Sequence, residues 1–270
     1  MTINKYLAFS VLALFLIFAS CTNKNSNRSS IPGYNHGIVF AHRGVVAAYP
    51  ENSLESAEDA SEKGFTALEL DLRKSNDNKW MLFHDENGKR LLGIDSSFNL
   101  IPPNKLTTNP LFFNGIRSNS YVLPLSELLK KQGDNFTFYF DVKVTGFKEA
   151  EEIADTIIKY CIADKVIVAS ADVLFILYLE WKHPQIFTAL EGMNTGKEWM
   201  WSLIPERIEP DFLSGFLERI DQRHVNWLKK KNLLERRIVY GVDSTNYLMV
   251  RQYGIKHLIV DYYHGMADQM

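Results

Sequence analysis

Short apolar runs, rich in β-branched and aromatic residues, recur along the chain. Most are followed by a polar turn and then by residues at helical spacing. "GIVFAHRG" (37–44) predicts a strand. "NSLESAEDASEKG" (52–64) predicts a helix, with Asn52 or Ser53 as its cap, acidic first turns and Gly64 as its stop. "FTALELDLR" and "KWMLFHD" predict strands, and residues 86–124 a long irregular connection. Beyond it, "LPLSELLKKQG" predicts a helix, "NFTFYFDVKV" a strand, "FKEAEEIADTIIKYC" a helix and "DKVIVAS" a strand. "DVLFILYLEWKH" follows as a helix and "QIFTALEG" as a strand. Residues 193–219 carry no clear period. "DQRHVNWLKKKN", "RRIVYGVD", "TNYLMVRQYG" and "IKHLIVDYY" close the chain as helix, strand, helix and strand.

Strands alternating with helices of ten to fifteen residues imply βα units and a parallel sheet. Eight or nine such strands favour an α/β fold of the TIM-type (β/α)8 barrel kind over an open sheet. One interval does not fit. A parallel crossover needs about a dozen residues, and the gap between "LELDLR" and "KWMLFHD" is far shorter. The expectation is a hairpin there, or a barrel distorted near its second and third strands.

The first twenty residues stand apart. Lys5, an apolar stretch from Leu7 to Phe18 and small residues before Cys21 make a secretory signal pattern. "FASC" resembles a bacterial lipobox, which implies cleavage before Cys21 and lipidation of it. The chain therefore divides into a signal peptide (1–20), a polar tether (21–36) and one barrel domain (37–270). The expected location is that of an exported bacterial lipoprotein, anchored to a membrane on its periplasmic or cell-surface side. The chain has 30 Lys and Arg against 32 Asp and Glu, a balance that gives no sign of nucleic-acid binding. No protein partner is expected. With Cys21 lipidated, Cys161 is alone, and its place after an amphipathic helix reads as core.

Chemistry concentrates at strand ends. In "LELDLR", Leu68, Leu70 and Leu72 share one face while Glu69, Asp71 and Arg73 share the other. Two carboxylates inside a barrel need a positive charge between them, either Arg73 or a divalent cation. An all-oxygen donor set favours Mg2+ or Ca2+. In "FTFYFDVK" the same alternation puts Asp141 beside Lys143. His42 and His84 fall near strand C-termini, the end where α/β barrels build their sites. Two imidazoles suit acid and base, and Arg43 suits an anion such as phosphate. Together they point to metal-assisted cleavage of a phosphate ester.

The order "AHRG", "PENS", "ELDL", "FHDE", "FDVK" resembles the glycerophosphodiester phosphodiesterase family, part of the phospholipase C-like phosphodiesterase superfamily. The resemblance implies a TIM-type barrel that splits a small-molecule glycerophosphodiester into glycerol 3-phosphate and an alcohol. Carried over by position, it implies His42 and His84 as the acid/base pair, with Arg43 and Lys143 at the phosphate. Glu69, Asp71 and Asp141 are then the metal ligands, Asp141 standing where the family usually has Glu. Glu51 and Asn52 of "PEN" lie at the edge of the site. Asn52 either hydrogen-bonds a ligand or histidine or caps the next helix. Tyr240 stands near the site in place of a tryptophan, and Val260 in place of a threonine. The family's TTNG stretch is reduced to "ENGKRLLGIDSS", which leaves head-group choice open. The alternatives are a phospholipase C- or D-like enzyme acting on intact lipid and a non-catalytic phosphoester-binding lipoprotein. A glycoside hydrolase built on the carboxylates would leave both histidines without a role. The tryptophans of "GKEWMWSLIPE" form either a lip over the site or ordinary packing.

Overall fold

The computed structural model describes residues 28–262. Cys21 and the signal segment lie outside them. The first elements are β1 (Val39–His42), α1 (Leu54–Glu62), β2 (Ala67–Lys74) and β3 (Trp80–Leu82). A small lobe follows, with α2 (Lys89–Leu92), α3 (Pro103–Thr108), β4 (Phe112–Phe113) and β5 (Ile116–Arg117). The chain continues with α4 (Leu125–Gln132), β6 (Thr137–Val142), α5 (Phe147–Lys159), β7 (Val166–Ser170), α6 (Val173–Lys182) and β8 (Phe187–Leu190). It ends with α7 (Glu198–Trp201), β9 (Phe212–Phe216), α8 (Gln222–Lys230), β10 (Arg237–Val242), α9 (Tyr247–Gln252) and β11 (His257–Val260).

The main sheet runs β1-β11-β10-β9-β8-β7-β6-β2-β3, and β1 also pairs with β2, so the sheet closes on itself. Only β3 is antiparallel and outside the ring. Eight parallel strands remain, the TIM-type barrel that the alternation predicts. The short interval is a hairpin: Leu72 faces Leu82 and Lys74 faces Trp80. "KWMLFHD" therefore supplies no barrel strand. The eighth strand is β9, inside the stretch without a clear period. Its sequence, FLSGF, hides it, because Ser and Gly interrupt the apolar run. Gly215 makes room there: an added Cβ would lie 2.3 Å from Asn194 Oδ1 and 2.4 Å from Arg237 Nη2, and both buried side chains would have to shift.

Two apolar layers hold the ring. Inward-facing Phe40, Ala67, Tyr139, Ile167, Phe187, Phe212, Ile238 and Ile259 fill its lower half. Outward-facing Leu68, Leu70, Phe138, Val168, Leu213 and Val239 pack under the helices with Ile153, Ile157, Leu179 and Leu228. Burying one such side chain is worth about 1.5–3 kcal/mol. The lobe has a core of its own, built on Phe83, Leu91, Leu92, Phe98, Ile101 and Leu106.

The segment read as tether is packed from its first described residue. Arg28 Nε donates to the Asp211 carbonyl, Ile31 is buried in the inner layer, and Tyr34 stacks on His257. These partners all lie at strand starts, so residues 28–37 cover the N-terminal mouth of the barrel. Cys161 is exposed rather than core. Helix α5 stops at Lys159, Cys161 turns out at φ 56°, and Ile162 takes the buried place.

Candidate active site

The inner faces of β1, β2 and β6 change character toward their C-terminal ends. On β1, Phe40 gives way to His42. On β2, Ala67 gives way to Glu69 and Asp71. On β6, Tyr139 gives way to Asp141 and then Lys143. Strand register brings these rows together, with His42 opposite Glu69 and Asp71 opposite Asp141. The result is a cleft of about 380 Å³ lined by His42, Arg43, Glu69, Asp71, His84, Tyr139, Asp141, Lys143, Glu191, Tyr240 and Asp261, among others. It opens at the C-terminal mouth, opposite residues 28–37.

Local backbone geometry aims the cations. Arg43 and Gly44 both take left-handed backbone, φ 56° and 80°. An added Cβ on Gly44 would lie 2.7 Å from the Ser56 carbonyl carbon and oxygen. This kink ends β1 and turns the Arg43 side chain back over the barrel. Its Nε stands 3.1 Å from Asp71 Oδ2, its Nη1 donates to Glu51 at 2.9 Å, and its backbone N–H donates to Glu69 at 3.0 Å. Lys143 Nζ lies 3.0 Å from Asp71 Oδ1 and also bonds Asp141.

Asn52 is not the helix cap. Ser53 caps α1, accepting from the Ser56 N–H. Asn52, at φ 58°, is buried with both ends of its amide on Asp71. Its Nδ2 donates to Oδ2 at 2.8 Å, and its Oδ1 accepts from the Asp71 N–H at 3.0 Å. Arg73 does not bridge Glu69 and Asp71. It reaches along the hairpin, and its Nε donates to the His84 carbonyl at 2.8 Å.

Each histidine commits Nδ1 to a carboxylate. His42 Nδ1 is 2.7 Å from Asp261, and His84 Nδ1 is 2.8 Å from Asp85. A carboxylate on Nδ1 holds the proton there and leaves Nε2 for exchange with a substrate. His42 Nε2 points at Glu69, 3.8 Å away. Asp85, Asp261 and Glu191 were not among the residues singled out from the sequence. A signal existed: each lies one or two positions beyond a predicted site residue or strand end.

The carboxyls are unequally placed. Burial opposes ionisation of Asp71, but Lys143, Arg43 and His84 with the Asn52 bond outweigh it and hold its pKa below the ordinary value. Glu69 is pushed well above, first by burial and then by the charges of Asp71 and Asp141. Burial and Asp141 also push Glu191 up to about 8, and its Oε1 accepts from Tyr139 Oη at 2.8 Å. Glu69, Asp71 and Asp141 each offer one oxygen within 4.8 Å of the others. These acidic residues could hold a metal ion. The donor set is all oxygen, three carboxyl groups beside two cations, which fits a hard divalent cation. The sequence leaves "GKEWMWSLIPE" open as a lip over the site or ordinary packing, and the structure packs only one of its two tryptophans: Trp199 is exposed and lies off the cleft. Trp201 is buried, and its indole N–H donates to Glu209. None of its residues lines the cleft.

Comparison with known proteins identifies the family. The sequence model of the "Glycerophosphoryl diester phosphodiesterase family" matches residues 42–264. The chain belongs to that family. It is 26% identical over 141 residues, 49% of its length, to a glycerophosphodiester phosphodiesterase of Bacillus altitudinis, and the match spans 57% of that protein. It is 35% identical over 81 residues, 30% of its length, to one from Haemophilus influenzae, of which 22% is covered. The chain thus spans less than two thirds of these curated relatives. The fold matches an Oleispira antarctica phosphodiesterase solved in complex with the product sn-glycerol-3-phosphate. There the TM-score is 0.74 at 18% identity, over 88% of this chain and 99% of that one.

Proposed function

We propose that the protein hydrolyses glycerophosphodiesters to glycerol 3-phosphate and an alcohol. The observation that carries this reading is the cleft itself. Two histidines, each oriented through Nδ1 by its own carboxylate, face a carboxylate trio and two cations across one opening. In this reading Arg43 and Lys143 hold the phosphate oxygens. One histidine removes the proton from the incoming hydroxyl as its oxygen bonds to phosphorus. The other protonates the departing alcohol oxygen as its bond to phosphorus breaks. Asp261 and Asp85 stabilise whichever imidazolium forms. Glu69, Asp71 and Asp141 would hold Mg2+ or Ca2+, and the bound cation would supply charge stabilisation for the phosphoryl oxygens.

The cleft continues over His84 and Lys143 into a groove of about 780 Å³ lined by Arg73, Glu86, Lys89 and Asp95. Charges of both signs there suit a polar alcohol. We further propose that Cys21 anchors the chain to a membrane. Residues 28–37 leave the barrel at the mouth opposite the cleft, an arrangement that supports small soluble diesters over bilayer lipid.

The test is turnover of a glycerophosphodiester panel, and of intact phospholipid, read as glycerol 3-phosphate release with Mg2+, Ca2+ or a chelator. Activity on the small diesters should need a divalent cation. His42→Ala and His84→Ala should each lose about 10²–10⁴-fold, the range general acid–base groups contribute. Wild-type rates in both variants would refute the assignment.

A further inference from the structure

Glu51, His84 and Asp85 bring three potential ligand atoms within 4.8 Å of one another. The space between them is taken by a guanidinium. Arg90, on the four-residue helix α2 of the lobe, meets all four oxygens of the two carboxylates. Its Nε donates to Asp85 Oδ2 at 2.7 Å and its Nη2 to Asp85 Oδ1 at 2.9 Å. Its Nη1 donates to Glu51 Oε2 at 2.8 Å and its Nη2 to Glu51 Oε1 at 2.7 Å. Two of these oxygens have second partners that matter. Asp85 Oδ1 is the atom on His84 Nδ1, and Glu51 Oε1 is the atom that receives Arg43 Nη1.

We propose that Arg90 is a positioning residue that couples His84 to Arg43 across the mouth of the site. The connection runs His84, Asp85, Arg90, Glu51, Arg43 and on to Asp71. It joins the hairpin end that carries His84 to the β1 end that carries Arg43, two parts of the chain that share no strand pairing. A planar fork can satisfy two carboxylates at once, whereas a lysine ammonium is a point charge that cannot span both in this geometry. The lobe supplies this fork, and its packing of Leu91 and Leu92 beside Arg90 fixes where the fork stands. The lobe is therefore part of the catalytic apparatus through one side chain. A displacement of about 1 Å at a reacting group can cost about 10²-fold in rate, so the coupling is large enough to measure.

This inference rests on the reading of His84 and Arg43 given above, and the experiment separates the two. The variants are Arg90→Ala, Arg90→Lys, Asp85→Asn, the pair Asp85→Asn/Arg90→Ala, and His84→Ala. Lys105→Ala, an exposed lysine on the same lobe, is the control. kcat, KM and Tm are measured for each on one glycerophosphodiester. Arg90→Ala should lower kcat by about 10- to 100-fold with KM within about twofold, the pattern of an interaction that acts in the transition state. Arg90→Lys should fall between it and wild type. In the Asp85→Asn background the loss from Arg90→Ala should shrink, because the link to His84 is already cut. A lower Tm with unchanged kcat would make Arg90 a structural clasp and overturn the proposal. A raised KM with additive losses would make it a substrate contact and also overturn it. If His84→Ala keeps wild-type kcat, the reading of the site itself fails. If His84→Ala is inactive and Arg90→Ala fully active, only the present inference fails.

Discussion

Replacing Asn52 tests how the carboxylate trio is held. Both ends of its amide are spent on Asp71, and the residue is buried at φ 58°. Asn52→Gly keeps the left-handed backbone and deletes both bonds. A hydrogen bond to a charged group is worth about 1.5–3 kcal/mol, and a buried unpaired N–H costs about 1–3 kcal/mol. The two overlap, so the expected loss is about 2–4 kcal/mol. Asn52→Ala should be worse by about 0.5–1 kcal/mol, because a Cβ at positive φ outweighs the chain-entropy advantage of alanine. Urea unfolding in the presence of a chelator measures both values. Divalent-cation affinity, read by calorimetry, should fall by about 10- to 100-fold, the usual effect of removing a partner of a metal ligand. Ser53→Ala is the contrast. It removes the true cap of α1 at a cost of about 1 kcal/mol and should leave cation affinity alone. Asn52 variants within about 0.5 kcal/mol of wild type, with unchanged cation affinity, would refute the reasoning.

Other consequences follow from the same electrostatics. Lys143→Met leaves Asp71 and Asp141 without their shared ammonium, and breaking a buried pair costs about 3–5 kcal/mol. The chelated variant should melt lower, and Mg2+ or Ca2+ should raise its Tm by more than it raises that of wild type. Equal shifts in scanning calorimetry would contradict this. At the opposite mouth, burial and Lys256 depress the pKa of His257 from the ordinary 6.5 to about 4. Its folded pKa is below its unfolded one, so its contribution is complete above pH 6.5 and is lost as pH falls from 6.5 toward 4. At 1.36 kcal/mol per unit this amounts to about 3 kcal/mol. His257→Phe should be less stable at pH 7, having lost the bonds to Ile38 N–H and the Glu235 carbonyl, but should show a flatter acid slope. An unchanged slope in urea unfolding at pH 6.5 and pH 4 would show that another group titrates.

The sequence was most legible where a strand keeps its period-2 alternation into its polar end. "LELDLR" and "FTFYFDVK" assign inner and outer faces correctly, and the hairpin was visible as an interval too short for a crossover. The lost strand β9 shows the limit. A barrel strand is buried on both faces, so a short one with a serine and a glycine looks like loop. The Ser214 hydroxyl hydrogen-bonds Tyr139 Oη inside the barrel, a partner 75 residues away that no local pattern reveals. The positions of Cys161 and Asn52 turn on single left-handed residues. Sequence spacing carries that information only when glycine marks it.

The residues that orient the chemistry were hidden for a different reason. Asp261 and Glu191 stand one residue past β11 and β8, on the inner parity of strands whose earlier inner residues, Ile259 and Ala189, are apolar. Each continues the alternation seen at His42, Glu69 and Asp141. A barrel closed at one end by an apolar plug and open at the other forces this switch. Below it, an unpaired polar side chain would cost several kcal/mol; above it, polar groups can meet water, substrate or one another. The switch therefore occurs at nearly the same height on β1, β2, β6, β8 and β11. Once two strands are placed in register, the height read from His42 and Glu69 marks where β6, β8 and β11 turn polar. The same rule explains why Arg90 was out of reach. It comes from the lobe, off the barrel, so neither strand parity nor register bears on it, and only its fit between Glu51 and Asp85 brings it to the site.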